Sequence, residues 1–331
     1  MYERELLERL PAHGVEVILG LPRDHAAPAT GWEVDVLRHR LGLHWAAAPL
    51  VFGPYARRLL RQRRVDLLRG HSVRHTGPAL LLARAIARST VPVVLHHHHL
   101  DPRWTRLETA IARRADAVVT VSAYSKRALV AAGVDAARVH VIVEGVARPP
   151  ETDGWRDAWA PTGLRLLYLG RLETRKRPGV AIEALARAGV DASLVVAGDG
   201  PLRAQLRADA RSLDVRFVGR VSDADKWRLY DSADVLLFPS TLEGFGLVVA
   251  EAQSRGVPVV AAAGTATSEA LNQDASGLLV APDAEAFAAA IRTLADATRR
   301  AAMAAHARTF AERFDWDRCA SAVADLYREL A

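Results

Sequence analysis

Short apolar runs alternate with longer amphipathic stretches along most of this chain. The runs are continuous, as in parallel strands buried on both faces, and the stretches between them have apolar residues at helical spacing. This alternation predicts α/β domains with parallel sheets. Strands are predicted at residues 15–19, 32–37, 65–68, 117–121, 139–143, 164–169, 193–197, 215–218, 234–238, 257–261 and 277–280, with a further strand beginning at residue 91.

The helical stretches fill most of the sequence between these strands. Helices are predicted at residues 2–10, 54–64, 77–88, 103–114, 178–188, 266–271, 285–313 and 316–330, the seventh with a break near Ala297. Ser122 and Ser222 are predicted as N-caps because each directly precedes a helical stretch. The chain opens on a helix, whereas most doubly wound domains open on a strand and a glycine-rich turn. The first strand of the first domain is therefore expected to be missing.

Length and composition predict two domains. The chain has 331 residues, half of them hydrophobic, which is enough for two separate cores. We place the first domain at residues 1–150, a linker at 151–163 and the second domain at 164–312. No apolar run reaches the roughly 18 residues of a membrane span, and no signal peptide opens the chain, so a cytoplasmic protein is expected. The lone Cys319 is expected to be a packing residue.

Residues 239–260 have the most informative pattern. A buried strand ends at Pro239, a glycine turn carries Glu243, and a helix begins near Leu247 with Glu251 one turn inside it. Gly244 and Gly246 allow close approach of the backbone to a ligand, and a helix N-terminus favours an anion. Carboxylates accept hydrogen bonds from hydroxyls, so two of them beside a phosphate-sized site suit a sugar nucleotide.

This segment resembles the E-x7-E segment of retaining glycosyltransferases of the GT-B fold, glycosyltransferase family 4 (group 1). The resemblance rests on Pro-Ser-x-x-Glu-Gly-Phe-Gly-Leu-x-x-x-Glu-Ala-x-x-x-Gly-x-Pro-Val-Val. It implies two facing Rossmann-like domains, an active site in the cleft between them, and a C-terminal helix at 313–331 that returns toward the first domain. Glu243 would meet the transferred sugar and Glu251 the ribose. The implied donor contacts in this segment are Glu243, Gly244, Phe245, Gly246, Leu247 and Glu251.

A cationic turn follows the first strand of the second domain. It reads Gly170-Arg-Leu-Glu-Thr-Arg-Lys-Arg-Pro178 and resembles the Gly-Arg-Leu…Lys loop of the family. Arg171 offers a planar fork and Lys176 a point charge, the complement of a donor diphosphate. The neighbouring Arg175 and Arg177 leave the assignment open. By the same resemblance, Val221 would lie against the nucleobase.

Four consecutive histidines, His96 to His99, follow the strand that begins at residue 91. A metal site is disfavoured, because strand alternation sends adjacent side chains to opposite faces. The resemblance to Val-Pro-Val-Val-x-x-x-His instead implies that His98 touches the transferred sugar, with His99 as the alternative and a structural histidine pair also open. Glu144 and Ala147 depart from the family's Asn-Gly-Val-Asp, and we expect a small consequence from these changes.

The net charge of +6 favours anionic partners. Arginine supplies nearly all of it, since Lys126, Lys176 and Lys226 are the only lysines. The basic helix at 54–64 is either a solvated face or a contact with an anionic partner, which is a membrane at the inner face or a phosphorylated acceptor. Its basic residues are Arg57, Arg58, Arg61 and Arg64. Nucleic-acid binding lacks a supporting motif and is not expected.

The combined prediction is transfer of a hexose from a nucleotide diphosphate sugar to an acceptor hydroxyl, with retained configuration. His98 and Glu243 are the expected catalytic residues, and Arg171 and Lys176 stabilise the departing diphosphate. No metal or cofactor is expected, because these cations are side chains. The alternative is a non-catalytic sugar-nucleotide-binding or regulatory protein. A sugar-nucleotide epimerase is disfavoured by the E-x7-E spacing.

Overall fold

The computed structural model describes residues 2–22, 33–37, 48–62, 65–98 and 106–331. The chain forms two compact units. The first contains Met1–Gly145 together with Asp315–Ala331, and the second contains Val146–Phe314. The C-terminal helix predicted at residues 316–330 thus belongs to the first unit.

The first unit contains parallel strands throughout its described part. Strands β1 (Ile18–Pro22) and β2 (Glu33–Leu37) form a parallel pair. A parallel sheet in the order β3-β4-β5-β6 contains Leu68–Gly70, Val93–His97, Ala117–Thr120 and Val139–Val141. The helices that belong to this unit are α1 (Tyr2–Arg9), α2 (Ala48–Gln62), α3 (Gly77–Ala87), α4 (Arg106–Ala112), α5 (Ala123–Ala131) and α12 (Trp316–Leu330).

Helices cover both faces of the four-stranded sheet. On one face, α1 and α12 bury Leu6, Trp316 and Tyr327 against Val94 of the sheet. On the other face, apolar residues of α4 and α5 pack on Val93 and Leu95. Cys319 lies in the first of these cores, and burial raises the pKa of its thiol to about 12. It is a packing residue, as its helical position predicted.

The second unit has a six-stranded sheet, and all its strand pairs are parallel. Its order is β12-β11-β10-β7-β8-β9. The strands are Leu164–Leu169 (β7), Ala192–Ala197 (β8), Val215–Gly219 (β9), Val235–Phe238 (β10), Val259–Ala262 (β11) and Gly277–Val280 (β12). This is the doubly wound order in which strand succession reverses between the first and fourth strands, here β7 and β10.

Helices connect most of the consecutive strands of this unit. Every strand predicted for the unit is observed, and its bounds differ from the predicted ones by at most two residues. The helices are α6 (Pro178–Ala188), α7 (Arg203–Asp209), α8 (Asp223–Ser232), α9 (Leu247–Ser254), α10 (Ala284–Leu294) and α11 (Ala297–Ala311). The predicted break near Ala297 is confirmed, because Asp296 accepts hydrogen bonds from the amides of Thr298 and Arg299 and caps α11. Ser122 and Ser222 cap α5 and α8 as predicted.

The segment predicted as a linker, residues 151–163, lies within the second unit. Trp159 is buried, and its indole Nε1 donates to the carbonyl of Leu166 at 2.8 Å. The amide of Trp155 donates to Ser232 Oγ at 2.7 Å. These contacts attach the segment to β7 and α8, which the interpretation of residues 147–163 as a linker rich in Pro, Trp and acidic residues did not foresee.

Candidate functional site

The reversal of strand order in the second unit brings two loops side by side. Residues 170–177 follow β7, and residues 239–246 follow β10; we call them the switch-point loops. Because β7 and β10 pair directly and in parallel, both loops leave the carboxyl edge of the sheet at neighbouring points. In open α/β sheets, this is where ligands bind.

Hydrogen bonds join the two switch-point loops. The carbonyl of Arg175 accepts from the amide of Thr241 at 3.3 Å and from Ser240 Oγ at 3.4 Å. The Arg175 guanidinium in turn donates to the carbonyl of Leu242 at 3.4 Å. The neighbouring residues, Lys176 and Glu243, are thereby brought together.

Lys176 and Glu243 form an ion pair with 2.5 Å between Nζ and Oε1. Their side chains are 16% and 11% exposed. Lys176 Nζ also lies 5.5 Å from the centroid of the Phe238 ring. The pKa of the adjacent Tyr168 is raised, mainly by burial and also by the charge of Glu243. The predicted donor cation and the predicted sugar-binding carboxylate therefore share a largely buried environment, where electrostatic interactions are strong.

A glycine turn at residues 198–200 packs against the backbone of the first switch-point loop. Gly198 and Gly200 have φ values of 143° and 159°. A Cβ atom at Gly198 would overlap the carbonyl of Gly170, and one at Gly200 would lie 2.5 Å from the carbonyl of Leu172. The turn Gly198-Asp199-Gly200 therefore needs glycine at both ends, because the backbone of residues 170–172 approaches it closely.

The second switch-point loop leads directly into helix α9. Gly246, the residue before α9, has a φ of 98°, a left-handed conformation that favours glycine. Phe245 is buried and meets Phe314 edge-on, with 5.3 Å between ring centroids. These residues precede α9, whose first amide groups follow Glu243 closely in sequence and can attract an anion.

Glu251 lies on α9 and is buried. Its Oε1 is 2.7 Å from Lys226 Nζ, and its Oε2 accepts a hydrogen bond from Tyr230 Oη at 2.9 Å. Both partners belong to α8. Burial, together with the charge of Glu251, raises the pKa of Tyr230 well above its ordinary value. The sequence did not predict Lys226 or Tyr230 as site residues, although the scarcity of lysine was a usable signal.

The other predicted residues of the second unit lie on the loops expected for them. Arg171 is 69% exposed and pairs with Glu173 at 3.2 Å, while Arg175 reaches the same carboxylate at 2.6 Å. Arg177, with a φ of 49°, precedes α6. Val221 follows β9 and is partly exposed. Of the four, only Arg175 joins the two switch-point loops.

In the first unit, His98 follows β4 and contacts Glu144. His98 Nδ1 lies 2.9 Å from Glu144 Oε1, and the side chains are 14% and 6% exposed. The replacement at Glu144, from which we expected a small consequence, thus provides a carboxylate partner for the predicted catalytic histidine. His99, the alternative, lies outside the described residues.

His96 has a different environment from His98. It is fully buried, and its Nε2 lies 3.3 Å from Arg69 Nε and 3.1 Å from Tyr327 Oη. Burial and the nearby charge of Arg69 lower its pKa well below the ordinary value. Because Arg69 can only donate, His96 Nε2 acts as an acceptor in a neutral ring. His96 is thus a core histidine. Among the described residues, no group of three or more His, Cys, Asp or Glu is placed to hold a metal ion.

Two family models together match nearly the whole chain. The model for glycosyl transferases group 1 matches residues 152–310, and the model for glycosyltransferase family 4 matches residues 1–148. A glycogen synthase of Mycobacterium tuberculosis is 31% identical over 300 residues, covering 81% of this chain and 69% of the relative. The chain belongs to the group 1 glycosyltransferases.

This glycosyltransferase also resembles other curated relatives and solved structures. The GDP-mannose-dependent alpha-(1-6)-phosphatidylinositol dimannoside mannosyltransferase of M. tuberculosis is 40% identical over 173 residues, which cover 51% of this chain and 45% of the relative. The chain thus spans about half the length of the first curated relatives it matches. The structure of Anabaena HepE in complex with UDP and glucose superposes with a TM-score of 0.76 at 22% identity, covering 99% of this chain and 96% of that one. The predicted GT-B fold, with two α/β units and parallel sheets, is confirmed.

Proposed function

We propose that this glycosyltransferase moves a hexose from a nucleotide diphosphate sugar to an acceptor hydroxyl with retained configuration and without a metal ion. The observation that carries the proposal is the Lys176–Glu243 pair, 2.5 Å apart at the point where strand order reverses. It combines a cation for a leaving group with a carboxylate for sugar hydroxyls. A helix N-terminus follows within the same segment.

The leaving diphosphate needs fixed positive charge as the glycosidic bond breaks. Lys176 supplies a point charge that a diphosphate would share with Glu243. Arg171, exposed on the same loop, can swing its planar fork onto a phosphate. The amides of Gly244, Phe245, Gly246 and Leu247 form the remaining part of the proposed phosphate and sugar cradle.

The two glutamates have separate proposed roles. Glu243 accepts hydrogen bonds from hydroxyls of the transferred sugar, and Glu251 accepts them from the ribose. Val221, after β9, is the proposed contact of the nucleobase. With these cations and dipoles in place, the reaction does not call for a metal ion.

His98 is the proposed contact of the first unit with the transferred sugar. Glu144 is an acceptor when ionised, so it favours the ring tautomer with hydrogen on Nδ1. The other nitrogen, Nε2, then carries a lone pair suited to a sugar hydroxyl. In this arrangement Glu144 orients the ring and His98 makes the contact.

The relatives suggest which donors to try first. One relative is named as GDP-mannose-dependent, and one structural neighbour was solved with UDP and glucose. GDP-mannose and UDP-glucose therefore lead a panel of nucleotide sugars. The acceptor is proposed to be a hydroxyl of a glycan, glycolipid or small molecule. In α2, Leu59 is buried and Arg58 and Arg61 are exposed; contact of this basic face with an anionic membrane stays a prediction.

The test is release of nucleoside diphosphate from this panel, with lipid and sugar acceptors supplied. Lys176→Ala and Glu243→Ala are expected to lower turnover by roughly 100-fold or more, the usual effect of removing one preorganised charge. Glu183→Ala is the matched control, because Glu183 forms an exposed pair with Arg187 on α6 at 2.8 Å. It is expected to keep full turnover.

The stereochemistry is read from the product. An anomeric configuration equal to that of the donor, determined by NMR, supports retention, and the opposite configuration contradicts it. Donor binding without turnover for every acceptor would favour the non-catalytic sugar-nucleotide-binding alternative. No donor binding would contradict both functions.

A further inference from the structure

The buried contacts of Glu251 point to a specificity device in the second unit. We propose that Lys226 and Tyr230 hold the Glu251 carboxylate in one orientation and thereby give the donor site its preference for ribose over 2′-deoxyribose. This inference rests on the proposed role of Glu251 as the ribose contact. Lys226 and Tyr230 are positioning residues in it, because they act through Glu251.

Each oxygen of the Glu251 carboxylate has one partner. Oε1 is 2.7 Å from Lys226 Nζ, and Oε2 is 2.9 Å from Tyr230 Oη. An ionised carboxylate has about four lone-pair sites, so one site on each oxygen remains for a further donor. The 2′ and 3′ hydroxyls of a ribose provide two adjacent donors. Two oriented oxygens with one open site each match this diol.

Burial makes this orientation rigid. Tyr230 is 1%, Glu251 6% and Lys226 9% exposed. A buried carboxylate without a partner is strongly disfavoured, so Glu251 keeps its contacts with α8. Tyr230 is protonated at neutral pH, since the ordinary pKa of tyrosine is about 10 and burial raises it further, so it remains a hydrogen-bond donor.

The choice of lysine supports a role beyond charge compensation. This chain uses arginine for nearly all its basic positions, yet Lys226 occupies this one. An arginine fork tends to bind both oxygens of a carboxylate, so together with Tyr230 it would leave only one of the two sites that a diol needs. The single ammonium of lysine fills one site and leaves the other oxygen to Tyr230.

Lys226 has a second carboxylate nearby that supplies a control. Asp223 Oδ1 lies 3.4 Å from Lys226 Nζ, and its side chain is 72% exposed. Asp223→Asn removes a charge next to Lys226 without touching Glu251. It should leave the preference for ribose unchanged.

The experiment measures the dissociation constants of UDP and GDP and of their 2′-deoxy counterparts by calorimetry. The full chain is expected to bind the better ribonucleotide about 10-fold or more tighter than its deoxy form, as for a hydroxyl hydrogen-bonded to a charged group. Lys226→Met, Lys226→Arg and Tyr230→Phe are expected to lower this ratio to about 3 or less, since each alters an oxygen of Glu251. Circular dichroism checks that each variant is folded.

The outcomes separate this inference from the proposed function. If the preference for the ribonucleotide over its deoxy form is lost in Glu251→Ala and in the Lys226 and Tyr230 variants, both the ribose role of Glu251 and the positioning inference are supported. A ratio lost in Glu251→Ala but kept in the folded Tyr230→Phe and Lys226→Arg variants overturns the positioning inference alone. A ratio kept in Glu251→Ala overturns the ribose role and the inference with it. No nucleoside diphosphate binding by the full chain also overturns both. If Lys226→Met does not fold, Tyr230→Phe still decides, because it removes one hydroxyl and keeps the ring.

Discussion

Glu243 and Glu251 lie on the same loop-helix segment, and each pairs with a lysine, but the two pairs are built differently. Glu243 and Lys176 both lie on loops and share one contact of 2.5 Å. Glu251 and Lys226 both lie on helices, and Tyr230 adds a hydrogen bond to the second carboxylate oxygen. A pair on loops can separate when a ligand arrives, whereas a pair between packed helices cannot without disturbing the core.

This difference suggests a division of roles within the proposed donor site. The loop pair is suited to exchange partners with a diphosphate and a sugar, so its groups can act as the bond breaks. The helix pair is suited to hold a part of the donor that does not react. The comparison therefore predicts different kinetic and stability effects at the two glutamates.

The largest expected difference is kinetic. Glu243→Gln should lower kcat by roughly 100-fold or more, because its charge is proposed to act in the transition state. Glu251→Gln should mainly raise KM, as expected for uniform binding of a remote group. Initial rates of nucleoside diphosphate release over a range of donor concentrations measure both. Equal losses of kcat in the two variants would contradict the separate roles proposed for Glu243 and Glu251.

The next difference is in stability. Lys226→Met leaves Glu251 buried without its cation and should lower the free energy of unfolding by about 3 kcal/mol. Lys176→Met should lower it by less than Lys226→Met does, because Glu243 lies on a loop that can turn its carboxylate toward water. Urea unfolding measures these values, with hydrogen exchange of α8 and α9 as a local check, because two units need not unfold in one step. Arg187→Met, at an exposed pair, serves as the control.

A smaller effect is expected on the stability of the protein at alkaline pH, through the tyrosine beside each glutamate. Burial, and then the charge of Glu251 or Glu243, raises the pKa of Tyr230 and of Tyr168. A folded-state pKa above the unfolded value stabilises the protein below about pH 10, and this contribution is lost as pH rises further. Tyr230→Phe should therefore show a smaller fall of Tm between about pH 9 and about pH 11 than the parent chain.

The control for this experiment is the same pair of proteins at neutral pH, where tyrosine is protonated in both states. A parallel series with Tyr168→Phe compares the loop pair with the helix pair. An unchanged fall of Tm in both variants would contradict the effect of burial on these tyrosines.

The smallest expected effect is that of metal removal. If Lys176 and Arg171 supply the positive charge, turnover after treatment with EDTA should stay within about two-fold of the untreated rate. The measurement is nucleoside diphosphate release before and after dialysis against the chelator, with Mg²⁺ restored as control. A loss that Mg²⁺ reverses would show that the side-chain cations are insufficient.

The sequence predicted the second unit more closely than the first. Continuous apolar runs in the second unit, such as residues 164–169, correspond to strands with the same or nearly the same bounds, because they are buried on both faces. In the first unit, predicted strand 65–68 shifted to Leu68–Gly70, and the basic helix began earlier, at Ala48. Polar residues at strand and helix ends carry little periodic signal, so those bounds depend on packing.

Only part of the candidate site was predicted from the sequence, because only part of it has a recognisable local pattern. The segment around Glu243 and the turn around Lys176 each have a local pattern of glycines and charges that is visible in the sequence. Lys226 and Tyr230 lie on helix α8, whose local pattern does not distinguish them from other helical residues. Their importance appears only when another element packs against them.

The sequence by itself determined the strands, the helix caps and the glycines of the turns, because these depend on residues close together in the chain. It also determined which loops carry charge. Only the tertiary structure decided which charges meet. Lys176 reaches Glu243 because β7 and β10 are neighbours in the sheet, and Lys226 reaches Glu251 because α8 packs beside α9. Contacts between residues distant in sequence follow from the order of strands and the packing of helices, which no local pattern encodes.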